Sequence, residues 1–154
     1  MGVNPDTGAA TSYRVLWPGA MAVLAGIDLL GKFLAGSDEK GKVGERFKNF
    51  LEIFLTGTSP TDQETIYQLR NSLLHSFGLY SEDKGTVYRF FLTNANLNPF
   101  ISNRPPDQYW VDIQILHREF EKAVAGYKLA LDADPALQAK FSAMFPKYGR
   151  IHVG

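Results

Sequence analysis

Tyr67-Gln68-Leu69-Arg70-Asn71-Ser72-Leu73-Leu74-His75-Ser76-Phe77-Gly78 is the stretch whose reading decides the fold. Ile66, Leu69, Leu73 and Phe77, with Tyr80 beyond, recur at spacings of three and four, the signature of one buried helical face. Ser59-Pro60 fits an N-cap followed by a first helical residue, and Thr61 with Glu64 offers a second capping box. Gly78 fits a C-terminal stop, because glycine takes the left-handed conformation freely. The spacing therefore predicts a helix from about residue 60 to residue 77, with His75 in its last turn. Arg70, Asn71 and His75 are its polar exceptions and lie off the apolar stripe.

Working outward, the geometry of these three residues is unequal. Asn71 and His75 are four apart and share a face. Arg70 and His75 are five apart, so an ideal helix sets them roughly 140° apart. The length of arginine covers part of that gap. The remainder calls for a frayed last turn or a second copy of the helix facing the first.

The run Arg70-Asn71-Ser72-Leu73-Leu74-His75 resembles the signature of the HEPN superfamily, in which an arginine, a polar residue such as asparagine, a short spacer and a histidine lie on one helix. By average residue usage, this combination arises by chance in about one chain of this length in a hundred. The likeness is sharp over the motif and only architectural elsewhere. It implies a metal-independent endoribonuclease of the kind found in toxin–antitoxin, phage-defence and RNA-processing systems, with a cognate antitoxin as a further partner. It also implies a homodimer with the motif near the two-fold axis. Other members of the superfamily do not cut RNA and serve as nucleotide-binding, RNA-binding or dimerisation modules.

If the motif is catalytic, residue type assigns the roles. RNA can be cut by its own 2′-hydroxyl attacking the adjacent phosphate. Histidine can take the hydroxyl proton or give one to the leaving 5′-oxygen, so His75 is the acid–base group. Charge developing on the phosphate needs a fixed cation, and a guanidinium binds it through two parallel hydrogen bonds, so Arg70 is the phosphate and transition-state binder. The amide of Asn71 positions either the phosphate or the histidine. Ser72 and Ser76 are auxiliary donors or plain helix surface.

Composition narrows the alternatives. The chain has 154 residues, 45% hydrophobic and 21% charged, which suits one globular domain over 1–154. Sixteen basic residues balance sixteen acidic ones, so any RNA site must be a local patch. No cysteine is present, which excludes disulfides, thiolate metal sites and a cysteine nucleophile and accords with a cytoplasmic location. Three scattered histidines make a poor metal set, and no phosphate loop, nucleophile elbow or dinucleotide turn appears, so no metal and no cofactor are expected. Arg46 offers a phosphate contact or a surface charge. His117 is a lone histidine on a mostly apolar helix.

The rest of the chain reads as scaffold. Residues 1–12 form a flexible lead-in, with no signal-peptide pattern. Leu16 to Leu34 is apolar and almost long enough to span a membrane, but Asp28 and Lys32 oppose that, and its small residues suit a central buried helix with surface to spare for a second copy. A second helix follows from Val43 to Leu55. Thr86 to Thr93 and Gln108 to Ile113 read as strands that pair as a hairpin, with Tyr109, Val111 and Ile113 facing opposite to Trp110 and Asp112. A long helix covers about 112–131, a short one starts at Asp134-Pro135, and 146–154 is a basic, aromatic tail. The expected fold is mainly α, a HEPN-like helical bundle of about five helices with a small β-hairpin insertion after the motif helix. The expected function is a metal-independent endoribonuclease; the alternatives are a non-catalytic HEPN-like module and a helical protein whose motif is coincidental.

Overall fold

The computed structural model describes residues 2–3, 10–11 and 13–148, with side chains from Leu16 to Tyr148. The remaining positions of the expected lead-in, and 149–154 of the expected tail, lie outside the described residues. Among the described residues the protein is mostly helical, with five α-helices and a small four-stranded sheet. Two short strands, β1 (Gly2–Val3) and β2 (Ala10–Thr11), pair antiparallel. The helices α1 (Tyr13–Ala35), α2 (Val43–Phe54) and α3 (Pro60–Ser76) follow. Then come β3 (Tyr80–Asp83), β4 (Thr86–Thr93), β5 (Ile101–Arg104) and β6 (Gln108–Asp112). Helices α4 (Ile113–Ala133) and α5 (Pro135–Met144) and a 3₁₀ turn (Phe145–Tyr148) are the last of the described elements.

Local chemistry sets the helix starts. Ser59 Oγ accepts from the Asp62 amide at 3.1 Å, and Asp62 Oδ2 accepts from the Ser59 amide at 2.9 Å, a reciprocal capping box that starts α3 at Pro60. Glu64, the alternative capping partner of Thr61, instead pairs with Lys48 Nζ at 2.8 Å. Asp134 Oδ1 accepts from the amides of Ala136 and Leu137 at 2.8 and 3.3 Å, as Asp134-Pro135 predicts. Asp112 caps α4: its Oδ1 accepts from the Ile115 amide at 3.0 Å, and its Oδ2 holds the Leu97 amide of the β4–β5 loop at 3.0 Å. That duty explains why Asp112 is fully buried although it falls on the Trp110 side of its strand.

The sheet corrects the expected β-hairpin. β4 and β6 lie side by side but run parallel, in the order β3-β4-β6-β5. The hairpins are instead local: β3 with β4, and β5 with β6. Between β3 and β4, Lys84 (φ 48) and Gly85 (φ 81) supply the two left-handed positions that a tight two-residue hairpin turn needs. Residue type hides β3 and β5. Tyr-Ser-Glu-Asp and Ile-Ser-Asn-Arg hold few β-branched residues, and each becomes a strand through the neighbour that pairs with it.

The chain divides into two compact units, residues 1–25 with 68–119, and residues 26–67 with 120–154; α1, α3 and α4 contribute to both. In the first unit the inward sheet face buries Tyr88, Phe90, Tyr109 and Val111, with Tyr88 and Tyr109 4.8 Å apart. Ser81 Oγ ties β3 to α3 through Gln68 Oε1 at 2.7 Å. In the second unit Phe47, Phe50 and Leu51 are fully buried, each contributing about 2 kcal/mol of burial. A side chain at Gly31 would put its Cβ 2.9 Å from the Arg46 carbonyl, so glycine is what lets α1 approach α2 there. Leu16–Ala35 is long and apolar enough to cross a membrane by length and composition. It nonetheless buries Ala20, Val23, Leu24, Ile27 and Phe33 within the protein. The start of the expected tail is docked: Lys147 Nζ lies 3.5 Å from Asp38 Oδ1, and the Tyr148 ring meets Phe33 at 5.7 Å.

Candidate active site

The middle of α3 is enclosed on most sides. Ile66, Leu69 and Leu73 are fully buried, but so, nearly, are Gln63, Thr65, Gln68, Arg70 and Ser72. Two of these hydroxyls satisfy themselves against the helix: Thr65 Oγ1 donates to the Thr61 carbonyl and Ser72 Oγ to the Leu69 carbonyl, both at 2.9 Å. Ser72 is therefore not a free auxiliary donor. The apolar stripe stops at Leu73. Phe77 is 70% exposed because it takes the left-handed conformation itself (φ 50) and leaves the helix. Gly78, the expected left-handed residue, instead donates its amide to the Ser72 carbonyl at 3.1 Å, closing the last turn.

Arg70, Asn71 and His75 are brought together within one chain. Arg70 Nη1 lies 2.7 Å from His75 Nε2 and donates to Asn71 Oδ1 at 3.1 Å. The rotation of roughly 140° between Arg70 and His75 is overcome along the axis: five residues rise about 7.5 Å, within the reach of an extended arginine. A second copy is thus not needed to bring the two groups into contact. A guanidinium carries donors only, so His75 Nε2 is the acceptor and the ring proton sits on Nδ1.

Exposure differs sharply across the trio. Arg70 is 7% exposed, Asn71 is half-buried and His75 is open to solvent. Although Arg70 lies off the apolar stripe, it is therefore not on a solvated face. The side chain runs toward the helix C-terminus, from the enclosed middle of α3 to the exposed His75. Chemically, the arrangement is a solvent-facing imidazole whose lone pair is held by a buried, fixed cation. It can accept a proton once that cation turns to an anion.

The other candidate residues stand apart. Arg46 is buried rather than a surface charge: Nη1 donates to the Glu39 carbonyl at 2.7 Å. It lines an open cleft of about 390 Å³ with Lys42, Glu45 and Asn49, where Lys42 pairs with Glu39 at 3.6 Å. None of the motif residues lines that cleft. His117 is exposed. Among the described residues no three histidine, aspartate or glutamate side chains gather as metal ligands.

One cluster escapes sequence reasoning. On the outward sheet face, Phe91 of β4 stacks on Trp110 of β6 at 4.8 Å and 11°, and the Arg104 guanidinium of β5 covers the Trp110 ring at 4.4 Å. The alternation of β6 already set Trp110 opposite Tyr109 and Val111. Placing Phe91 and Arg104 beside it requires the parallel register Phe91↔Trp110 and the unseen strand β5. Comparison with protein-family models, with curated proteins and with solved structures gives no match.

Proposed function

We propose that the protein is a metal-independent, HEPN-like endoribonuclease that acts in the cytoplasm, with His75 as acid–base group, Arg70 as phosphate binder and Asn71 as positioning residue. The observation that carries this is the 2.7 Å contact between Arg70 Nη1 and the solvent-open His75. A bound scissile phosphate is a better acceptor for a guanidinium than an imidazole is. As Arg70 turns to the phosphate, His75 Nε2 is released to take the 2′-hydroxyl proton. The 2′-oxygen then bonds to phosphorus, the bond to the 5′-oxygen breaks, and the products are a 2′,3′-cyclic phosphate and a 5′-hydroxyl.

In-line attack puts the attacking and leaving oxygens on opposite sides of phosphorus, so one imidazole does not reach both at once. A homodimer with two His75 rings at one cleft supplies the second, as acid. The exposed Phe77 and Tyr80, close in sequence to His75, offer apolar surface for such a contact. In this reading an antitoxin would act by covering His75.

The test is incubation of the pure protein with single-stranded and structured RNA in EDTA. Cleavage leaving cyclic phosphate ends is expected, reduced at least about a hundredfold in His75→Ala. That variant keeps its circular dichroism, because His75 is exposed. Full activity in His75→Ala, or activity that needs magnesium, overturns the mechanism; a monomer by light scattering at micromolar concentration overturns the dimer. The burial of Arg70 favours one alternative, a non-catalytic module that binds RNA or a partner and uses the trio to lock the end of α3. RNA binding without cleavage is its mark.

A further inference from the structure

We infer that the cleft beside Arg46 binds a small zwitterion of the α-amino-acid class, with its carboxylate on the Arg46 guanidinium and its ammonium on Glu45. The inference stands apart from the ribonuclease reading, since no motif residue lines this cleft. Arg46 is 7% exposed, yet no carboxylate pairs with it among the described residues. Nη1 is committed to the Glu39 carbonyl at 2.7 Å, and Nε is buried with no hydrogen-bond partner among those residues. A carbonyl dipole does not neutralise a full charge, and a cation out of water is strongly unfavourable without a counter-ion. The two carboxylates of the cleft are otherwise placed. Glu39 pairs with Lys42 at 3.6 Å. Glu45 adjoins Arg46 in the helix, where successive side chains do not face one another. It is exposed and forms no ion pair among the described residues. The cleft therefore holds one cation and one anion that do not satisfy each other.

Sequence spacing builds the wall on which both groups stand. Lys42, Glu45, Arg46 and Asn49 recur at the three- and four-residue steps of one helical face, so the first two turns of α2 line the cleft. No side chain caps α2 at Lys42, so its first amides keep their partial positive charge. Two close approaches fix this wall. A Cβ at Gly31 would lie 2.9 Å from the Arg46 carbonyl, and one at Gly44 would lie 3.0 Å from the Tyr67 ring. A wall already in place loses little freedom on binding. The volume of about 390 Å³ falls in the range of small-molecule sites. Charge then selects the class. A simple anion would meet Arg46 but lie against Glu39 and Glu45. A simple amine would meet Glu45 but lie against Arg46 and Lys42. An α-amino acid carries a carboxylate and an ammonium on one carbon, and so answers both.

The experiment is a titration of the ¹⁵N-labelled full chain with the common L-amino acids, each alone at millimolar concentration. The signal followed is the arginine Nε–H resonance that disappears in Arg46→Lys. Acetate, methylamine and inorganic phosphate serve as probes of one charge sign. At least one amino acid should move the Arg46 resonance saturably and raise the melting temperature, while none of the three single-charge probes does so. Glu45→Gln should weaken that binding at least about fivefold. Because Glu45 is exposed, this variant keeps the fold and the test does not depend on the stability of an Arg46 substitution. Arg46→Lys, which lacks the planar fork, should weaken it about tenfold. Absence of saturable binding by every amino acid overturns the proposal. So does undiminished binding in Glu45→Gln, or a saturable shift with phosphate or acetate as strong as with any amino acid, which would make the cleft a plain anion site.

Discussion

Arg46 and Arg70 are equally enclosed, each 7% exposed, and each holds an acceptor 2.7 Å from Nη1. They differ in what accepts. The partner of Arg46 is the Glu39 carbonyl, which neither titrates nor rotates away, so that contact fastens the turn before α2. The partner of Arg70 is an imidazole on an exposed side chain, which can swing, take a proton and give up its place to an anion. Burial of a cation is thus no sign of chemistry by itself; the nature of its partner is.

The strongest way to break this contrast is to replace each arginine by methionine. Arg70→Met should lose cleavage by roughly a hundredfold, the scale for removing one fixed donor from a developing oxyanion. Its stability cost is measured separately, because Arg70 also donates to Asn71 Oδ1. Arg46→Met should cost about 2 kcal/mol, since the Glu39 carbonyl loses a charged donor, and should leave cleavage per folded molecule unchanged. Urea unfolding and initial rates read the two effects separately. Equal rate losses in both variants would erase the distinction, and Arg70→Lys should keep the fold without the rate, lacking the planar fork.

A smaller effect sharpens the same point with a buried group that has no acceptor. Tyr127 is 3% exposed, and its hydroxyl has no hydrogen-bond partner among the described residues. Tyr127→Phe should therefore raise stability, by about 1 kcal/mol. Burial pushes the Tyr127 hydroxyl above its ordinary value, so the fold keeps it protonated. Stability is unaffected by this group's ionisation below the unfolded value of about 10 and falls as pH rises from there through the folded one. Thermal melts at high pH should fall less steeply in Tyr127→Phe than in the unsubstituted chain.

The smallest expected change is at the end of α3. Phe77 holds φ 50 with its side chain mostly in water. Phe77→Gly relieves the Cβ crowding of that conformation and should stabilise by about 0.5 kcal/mol. A loss of stability on calorimetry would mean that the exposed ring is held by something worth more than the strain.

Helix starts were legible because they are written in a few adjacent residues: Ser59-Pro60 and Asp134-Pro135 name their caps. β4 was legible over Thr86–Thr93 because its residues are β-branched or aromatic. β3 and β5 were not, because edge strands of polar residues owe their conformation to pairing rather than propensity. The parallel run of β4 and β6 was misread as a hairpin, since the intervening residues hide a strand of their own. At the site, residue types and the placement of His75 in the last turn could be read. The closure of Arg70 on His75 could not, because a helical wheel records angle and ignores the length of a side chain lying along the axis. Nor does a wheel say that the polar middle of α3 is enclosed.

The order β3-β4-β6-β5 has a consequence in time. β4 and β6 are each hydrogen-bonded on both sides, while β3 and β5 have one partner each. When a small sheet breathes, its rims open first and its centre last, so the amides of β4 and β6 should be the slowest of the four strands to exchange with solvent. Phe91 and Trp110 both ride on those two strands. Their spacing would then persist through the opening that frees β3.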